Sequence, residues 1–257
     1  HNCLVGSEMC IRDSSMTNDQ LDKIIPKVSV FARVSPEHKL MIIESFKRRG
    51  EIVAMTGDGI NDALSLVSAD LGVAMGKIGT EVAREAADIV ILDDNFDNIR
   101  VAVEEGRSIY QTVRKSVLYL LSTNIGELLV ITIAVLIGWP IPLLATQIIW
   151  LNMVTDTFLV AAFALEPKEK NILKEKFKKP SRYLIDKLMA IRILLIGSVM
   201  TAITLILFKV FLDAGDMVKV WTITLTALTV AQWYNIWNIR SDRESIFKQN
   251  PFNNLWL

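Results

Sequence analysis

Past residue 10 the chain has no cysteine, the two in its 257 residues being Cys3 and Cys10. Disulfide, zinc–thiolate and thiol chemistry therefore have no place in residues 11–257. Net charge is lacking as well, with 28 Lys and Arg against 28 Asp and Glu. That balance gives no reason to expect a nucleic-acid partner. Internal repeats and low-complexity linkers are missing too. The first fourteen residues do not have the basic start and apolar core of a secretory leader. Apolar residues, by contrast, make up 51% of the chain, and they are unevenly placed. Residues 16–115 are rich in Lys, Arg, Asp and Glu, whereas 116–239 hold four long apolar stretches. This division predicts a soluble α/β part followed by a membrane part.

The soluble part alternates between strand and helix patterns. A strand is expected over 28–32 and a helix over 36–49, with Ser35 as N-cap and Pro36 at the first helical position. A strand over 52–55, a helix over 61–69, and further elements over 71–75, 80–87 and 88–92 continue the pattern. Alternation of this kind argues for a parallel sheet covered by helices. Between the second strand and its helix lies Met55-Thr56-Gly57-Asp58-Gly59-Ile60-Asn61-Asp62. Two carboxylates and an amide crowd this turn at the C-terminal end of a strand, where open α/β sheets place their ligands. Glycine on both sides of Asp58 allows unusual backbone angles and close approach of a ligand. The Asp58 carboxylate suits a hard cation such as Mg²⁺. For a bare Gly-Asp-Gly, an ordinary acidic turn is the better reading; the full octet carries more.

The octet resembles the P-type cation-transporting ATPases. So do Val30-Phe31-Ala32-Arg33-Val34-Ser35-Pro36-Glu37-His38-Lys39 upstream, and Ala74-Met75-Gly76, Gly79-Thr80, Asp93-Asp94-Asn95-Phe96 and Glu104-Glu105-Gly106-Arg107 downstream. The resemblance runs from about Val28 to the last residue. It implies an α/β haloacid-dehalogenase-like fold, a Rossmann-like parallel sheet, for a partial phosphorylation domain over 16–100. A stalk helix over 101–115 and an α-helical transmembrane domain over 116–257 would follow. By the same resemblance, Lys39, Gly57, Asp58, Gly59, Asn61 and Asp62 form the catalytic set. Lys39 steadies the phosphoryl group, Asp58 and Asp62 hold Mg²⁺, and Asn61 helps order phosphate and water. On residues alone Lys39 reads equally well as a solvated helix lysine, and His38 is given no role. No Asp-Lys-Thr-Gly-Thr run is present. The expectation is therefore a C-terminal fragment, truncated at both ends and inactive alone, whose intact polypeptide uses ATP and Mg²⁺. Residues 4–14 resemble a translated sequencing adapter, and 1–15 are set aside as non-native.

In the membrane part, 116–138, 142–165, 189–212 and 218–239 are long enough to span a bilayer, and 250–257 suggests the start of a fifth span. Nine Lys or Arg between Glu166 and Arg192 put that loop and the soluble domain in the cytoplasm by the positive-inside rule. The chain is thus expected in a plasma membrane, with the lipid bilayer and the remainder of the same polypeptide as partners.

Polar residues inside these spans carry the functional information. Asn124 and Glu127 are three apart, and Asn152, Thr155 and Asp156 occupy i, i+3 and i+4. A mid-membrane carboxylate is costly and points to function, whereas Asn and Thr alone would read as helix–helix hydrogen bonding. These five residues match in type the transport site of calcium pumps of the sarcoplasmic-reticulum kind. Gln232 falls where those pumps have a glutamate. The resemblance thus implies a pump for a cation, Ca²⁺ first. The alternatives are a Na⁺ or K⁺ pump, a membrane-tethered phosphatase of the haloacid-dehalogenase type, and a non-catalytic cation-binding protein.

Overall fold

The computed structural model describes residues 17–31, 34–167, 172–173, 184–240 and 254. The chain divides into two compact units, His1–Val101 and Ala102–Leu257.

In the first unit, α1 (Asn18–Ile24) and α2 (Pro36–Arg48) precede a three-stranded parallel sheet of β1 (Ala54–Gly57), β2 (Leu71–Met75) and β3 (Ile89–Ile91). Helices α3 (Ala63–Ser68) and α4 (Glu81–Ala86) form the two crossovers. Register pairs Ala54 with Leu71 and Val73 with Ile89. The central strand is covered on both faces, which is why its sequence is apolar throughout and does not alternate. Ala74 packs with Leu66 and Ala83, while Val73 and Met75 pack with Ile91. Ser35 caps α2 by accepting the His38 N–H at 3.3 Å, with Pro36 at the first helical position.

Three expectations for this unit need correction. Residues 28–31 form no strand; each sheet position is filled by β1, β2 or β3, so this stretch has no ladder to join among the described residues. The strand expected over 52–55 begins at Ala54, because Val53 is tied by its N–H and C=O to Asp70 and Leu71. The helix expected from Asn61 opens as a 3₁₀ turn, Ile60–Asp62, before α3.

The second unit is helical. Helix α5 (Asp97–Ile137) is one continuous 41-residue element that begins in the first unit. It is followed by α6 (Ala145–Trp150), a π-helical turn (Leu151–Asp156), α7 (Thr157–Ala164), α8 (Lys187–Leu212) and α9 (Met217–Ile239). Asp186 and Asp216 cap α8 and α9 by accepting N–H bonds of their first turns. Among the described residues, three helical segments are long and apolar enough to cross a membrane: Asp97–Ile137, Ala145–Ala164 and Lys187–Leu212. Helix α9 has 23 residues, the length of a span, but Lys219, four threonines from Thr222 to Thr229, Gln232 and Asn235 lower its apolarity. The basic residues at 168–171 and 174–183 and the stretch 250–257, Asn254 apart, lie outside the described residues.

The unit is held by two apolar clusters. One joins Leu118 and Tyr119 to Phe163, Ile193 and Ile236, and the other joins Val130 to Leu143, Leu151 and Leu228. Helices α5 and α8 meet at Gly126 and Gly197, where a Cβ on Gly197 would stand 3.3 Å from the Ser122 carbonyl. Thr201 Oγ1 donates to the Gly126 carbonyl across this crossing, 3.2 Å away. Small residues with a hydroxyl bridge are the usual means of close approach between membrane helices. At the end of α9 a buried Arg240 donates from Nε to Glu166 Oε1 at 2.6 Å and lies over the Trp237 ring.

Candidate functional site

Two constellations of acids stand out, one in each unit. In the first, the turn after β1 carries Asp58, whose side chain is exposed and takes no hydrogen bond among the described residues. Asp62 is the opposite: 7% exposed, it accepts from Lys39 Nζ at 2.6 Å and from the Gly59 N–H at 3.3 Å. Burial pushes its pKa up, but the Lys39 bond, the Gly59 N–H and the Lys39 charge together outweigh that, and it settles below the ordinary 3.8. Lys39, in the first turns of α2, is thus brought to the turn.

The backbone freedom expected of the two glycines is not used in this turn. Neither Gly57 nor Gly59 has a positive φ. A Cβ at Gly57 would sit 2.5 Å from Asp62 Cβ, so clearance, not backbone freedom, requires glycine there. At Gly59 the nearest atom, Asp62 Oδ2, would be 3.7 Å from a Cβ, an ordinary contact. Asn61 is exposed. With Asp62 committed to Lys39, Asp58 is the carboxylate of this turn whose oxygens face solvent at the C-terminal end of a parallel strand. That donor chemistry fits a hard cation such as Mg²⁺.

The second constellation is built on the buried stripe of α5, which includes Tyr119, Ser122, Thr123, Gly126, Glu127 and Val130. These recur at the spacing that places residues on one helical face. Glu127, 4% exposed, accepts from Asn152 Nδ2 at 3.0 Å and from Gln232 Nε2 at 2.9 Å. Asp156, 2% exposed, accepts from the Tyr119 hydroxyl at 2.9 Å and from the Thr123 hydroxyl at 3.5 Å. Asn152, Thr155 and Asp156 all fall within the π-helical turn, a local widening of the helix often found at functional sites. Thr155 is buried beside Asp156. Gln232 Oε1 and Asn235 Oδ1 are buried carbonyl oxygens with no partner among the described residues, and Asn235 Nδ2 donates to Ser122 Oγ at 2.9 Å.

The structure therefore brings together Glu127, Asn152 and Gln232, and sets Asp156 beside Tyr119 and Thr123. Asn124 stands apart. It is exposed in this chain and donates to the Leu120 carbonyl at 2.7 Å, because it lies at the edge of the buried stripe. Tyr119, Ser122 and Asn235 were not singled out by sequence reasoning. Their signal, had it been used, was a polar atom at stripe positions otherwise filled by apolar or small residues.

Comparison with known proteins bears on both constellations. Residues 140–257 match the family described as "Cation transporting ATPase, C-terminus". The chain is 39% identical over 253 residues to "Calcium-transporting ATPase" of Bacillus subtilis, covering 96% of this chain and 28% of that protein. It is 40% identical over 255 residues to "Probable cation-transporting ATPase F" of Mycobacterium tuberculosis, covering 99% of this chain and 28% of that one. With "Calcium-transporting ATPase type 2C member 1" of Homo sapiens it shares 38% over 235 residues, or 91% of this chain and 26% of the relative. The chain thus spans under a third of the length of these relatives.

Proposed function

Because the chain belongs to the P-type cation-transporting ATPases, we propose that it supplies the C-terminal part of an ATP-driven pump moving Ca²⁺ across a membrane through an aspartyl-phosphate intermediate. One observation carries this reading: two buried carboxylates, Glu127 and Asp156, sit on adjacent segments of the membrane part and are hydrogen-bonded by neutral amides and hydroxyls. Burying a carboxylate without a cation is costly. A divalent cation would offset that cost for both acids at once, taking carboxylate, amide and hydroxyl oxygens as its shell.

The residues around Glu127 and Asp156 suit the exchange. Asn152 and Gln232 present N–H groups to Glu127. A rotation of either amide offers its carbonyl oxygen instead. Thr155 and Asp156 supply the remaining oxygens from the π-helical turn, and Tyr119 keeps one Asp156 oxygen oriented. Asn124 joins the shell only by releasing the Leu120 carbonyl.

The first unit is read as the C-terminal part of a haloacid-dehalogenase-like phosphorylation domain on the cytoplasmic side of a plasma membrane. When bound, Mg²⁺ supplies charge neutralisation to phosphoryl transfer. Asp58 would hold it, Lys39 would present a point charge to the phosphoryl group, and Asn61 would order phosphate and water. The remainder of the polypeptide and ATP are the partners this assignment requires.

A single substitution tests it. Asp156→Asn in the complete protein should lower Ca²⁺-dependent phosphorylation from ATP by on the order of 100-fold or more, as removal of a charged ligand would. One feature favours a second reading, a monovalent-cation pump: Gln232 adds an oxygen without a charge. Phosphorylation governed by Na⁺ or K⁺ and indifferent to Ca²⁺ would establish that alternative.

A further inference from the structure

The Asp93-Asp94-Asn95-Phe96 stretch is untouched by the function just described, yet it contains the most unusual backbone in the first unit. Asp94 has φ of +58°, the one non-glycine residue with positive φ among the described residues. Aspartate tolerates that region better than most side chains, but it is uncommon there. Its carboxylate accepts three consecutive main-chain N–H groups: Gly76 at 2.7 Å and Lys77 at 3.0 Å on Oδ1, and Ile78 at 2.9 Å on Oδ2. Burial acts to raise its pKa, but these three bonds and the Lys77 charge hold it below the ordinary 3.8. A run of N–H groups converging on one anion is a strong local clamp.

The clamped loop leads directly to the acidic turn. Thr80, two residues beyond Ile78, donates its N–H to the Asp58 carbonyl at 2.8 Å and caps α4 through Ala83. Arg84 Nη1 grips the Gly76 carbonyl at 2.7 Å. The loop also has little room to shift. A Cβ at Gly76 would stand 2.7 Å from the Ile91 carbonyl, and one at Gly79 would overlap the Met75 carbonyl. The loop is held at both ends, by Asp94 at one and by Thr80 on Asp58 at the other.

We infer that Asp94 is a positioning residue for the Asp58 turn, fixing residues 76–80 so that the Thr80 N–H sets where Asp58 presents its carboxylate. The inference rests on the proposal that Asp58 holds a divalent cation. Asp94→Gly is the informative variant, because glycine accepts the same φ without strain and removes only the carboxylate. Asp94→Asn keeps one acceptor oxygen and should lie between the two.

The test uses the full chain in detergent, with Mn²⁺ alone as a paramagnetic probe and amide hydrogen exchange as a second readout. In the parent, Lys77, Ile78 and Thr80 N–H should be protected and Mn²⁺ should bind at Asp58. Asp94→Gly should speed exchange at all three while leaving β1 and β2 protected, and should weaken Mn²⁺ binding by on the order of 10-fold, as loss of an outer-shell support does. Unprotected Lys77 and Ile78 in the parent would overturn the clamp even if both variants failed to fold. Unchanged Thr80 exchange or unchanged Mn²⁺ affinity in Asp94→Gly would overturn the positioning role. Mn²⁺-induced broadening of the Asp58-turn amides that survives Asp58→Ala would instead overturn the metal reading, leaving the exchange result to judge Asp94 on its own.

Discussion

The acids of the membrane core, Glu127 and Asp156, are held in the opposite way from Asp62 of the first unit and Glu166 just past the end of α7. Asp62 and Glu166 each have a fixed cation, Lys39 at 2.6 Å and Arg240 at 2.6 Å. Glu127 and Asp156, deeper and in apolar surroundings, are held by an asparagine, a glutamine, a tyrosine and a threonine. On the proposed function, the difference separates structural from exchangeable charge. A carboxylate paired with a lysine or arginine has its counter-charge built in, and a second cation would have to displace it. One surrounded by neutral donors keeps its full attraction for an arriving ion, and the donors can rotate to offer oxygens. The neutral shell costs stability, since nothing on hand neutralises the buried charge.

The most disruptive way to break this contrast is to give Glu127 a permanent partner. Gln232→Lys should place an ammonium beside it and weaken Ca²⁺ binding by on the order of 100-fold or more, since a close fixed charge opposes the ion in a poorly screened site. Isothermal titration of the detergent-solubilised chain with Ca²⁺ would measure it. Affinity equal to the parent's would mean that Glu127 is not a ligand.

Next in size is the reverse operation on Glu166. Arg240→Leu leaves a carboxylate only 18% exposed with Asn254 as its remaining described partner, and should cost about 3–5 kcal/mol. Adding Glu166→Leu should recover most of that loss, because an apolar pair replaces the stranded charge. Thermal unfolding of the single and double variants would reveal whether this pair is structural in the sense proposed.

Smaller still is the Gly57→Ala change. Its Cβ would need to displace Asp62 Cβ, 2.5 Å away, and such overpacking costs about 1–3 kcal/mol. Loss of the Lys39–Asp62 contact should then be visible as faster amide exchange at Gly59.

The smallest effect is expected at Lys39→Gln. The Lys39 side chain is 35% exposed, so screening limits the pair to about 1 kcal/mol or less. Its signature is in the pH dependence. Asp62 has a folded pKa below the ordinary 3.8, so its ionised form favours the folded state above that value, and the contribution is lost as pH falls through the folded pKa. Without Lys39, burial still raises the pKa while its main opposition is gone. The stability that the first unit loses on acidification should then be smaller than in the parent, or change sign if burial carries the folded pKa above the ordinary value, as followed by amide exchange between pH 3 and 6. An identical acid profile would contradict the balance described for Asp62.

Much of this was legible from residues alone. Ser35-Pro36 announced the start of α2, and the alternation of strand and helix patterns announced a parallel sheet covered by helices. The long apolar stretches anticipated α5, α7, α8 and α9, and Glu127 and Asp156 stood out as acids where acids are costly. Less legible were the edges. The stretch 28–31 has strand composition but no neighbour to pair with. Asn124 shares a nominal face with Glu127, yet it falls at the edge of the buried stripe. The π-helical turn at Leu151–Asp156 changes which side chains point together without leaving any mark on periodicity.

Periodicity, capping and apolar runs act between residues a few positions apart, so the sequence by itself determined the element types, the division into a sheet part and a helical part, and which residues could carry chemistry. What each acid does with its oxygens was decided only by tertiary structure. Lys39 meets Asp62 across 23 residues, Tyr119 meets Asp156 across 37, and Glu127 meets Gln232 across 105. Contacts at such separations depend on how helices pack, and local pattern says nothing about that. Asp58 and Asp62 look alike in the sequence; packing leaves the first open to solvent and commits the second to a lysine.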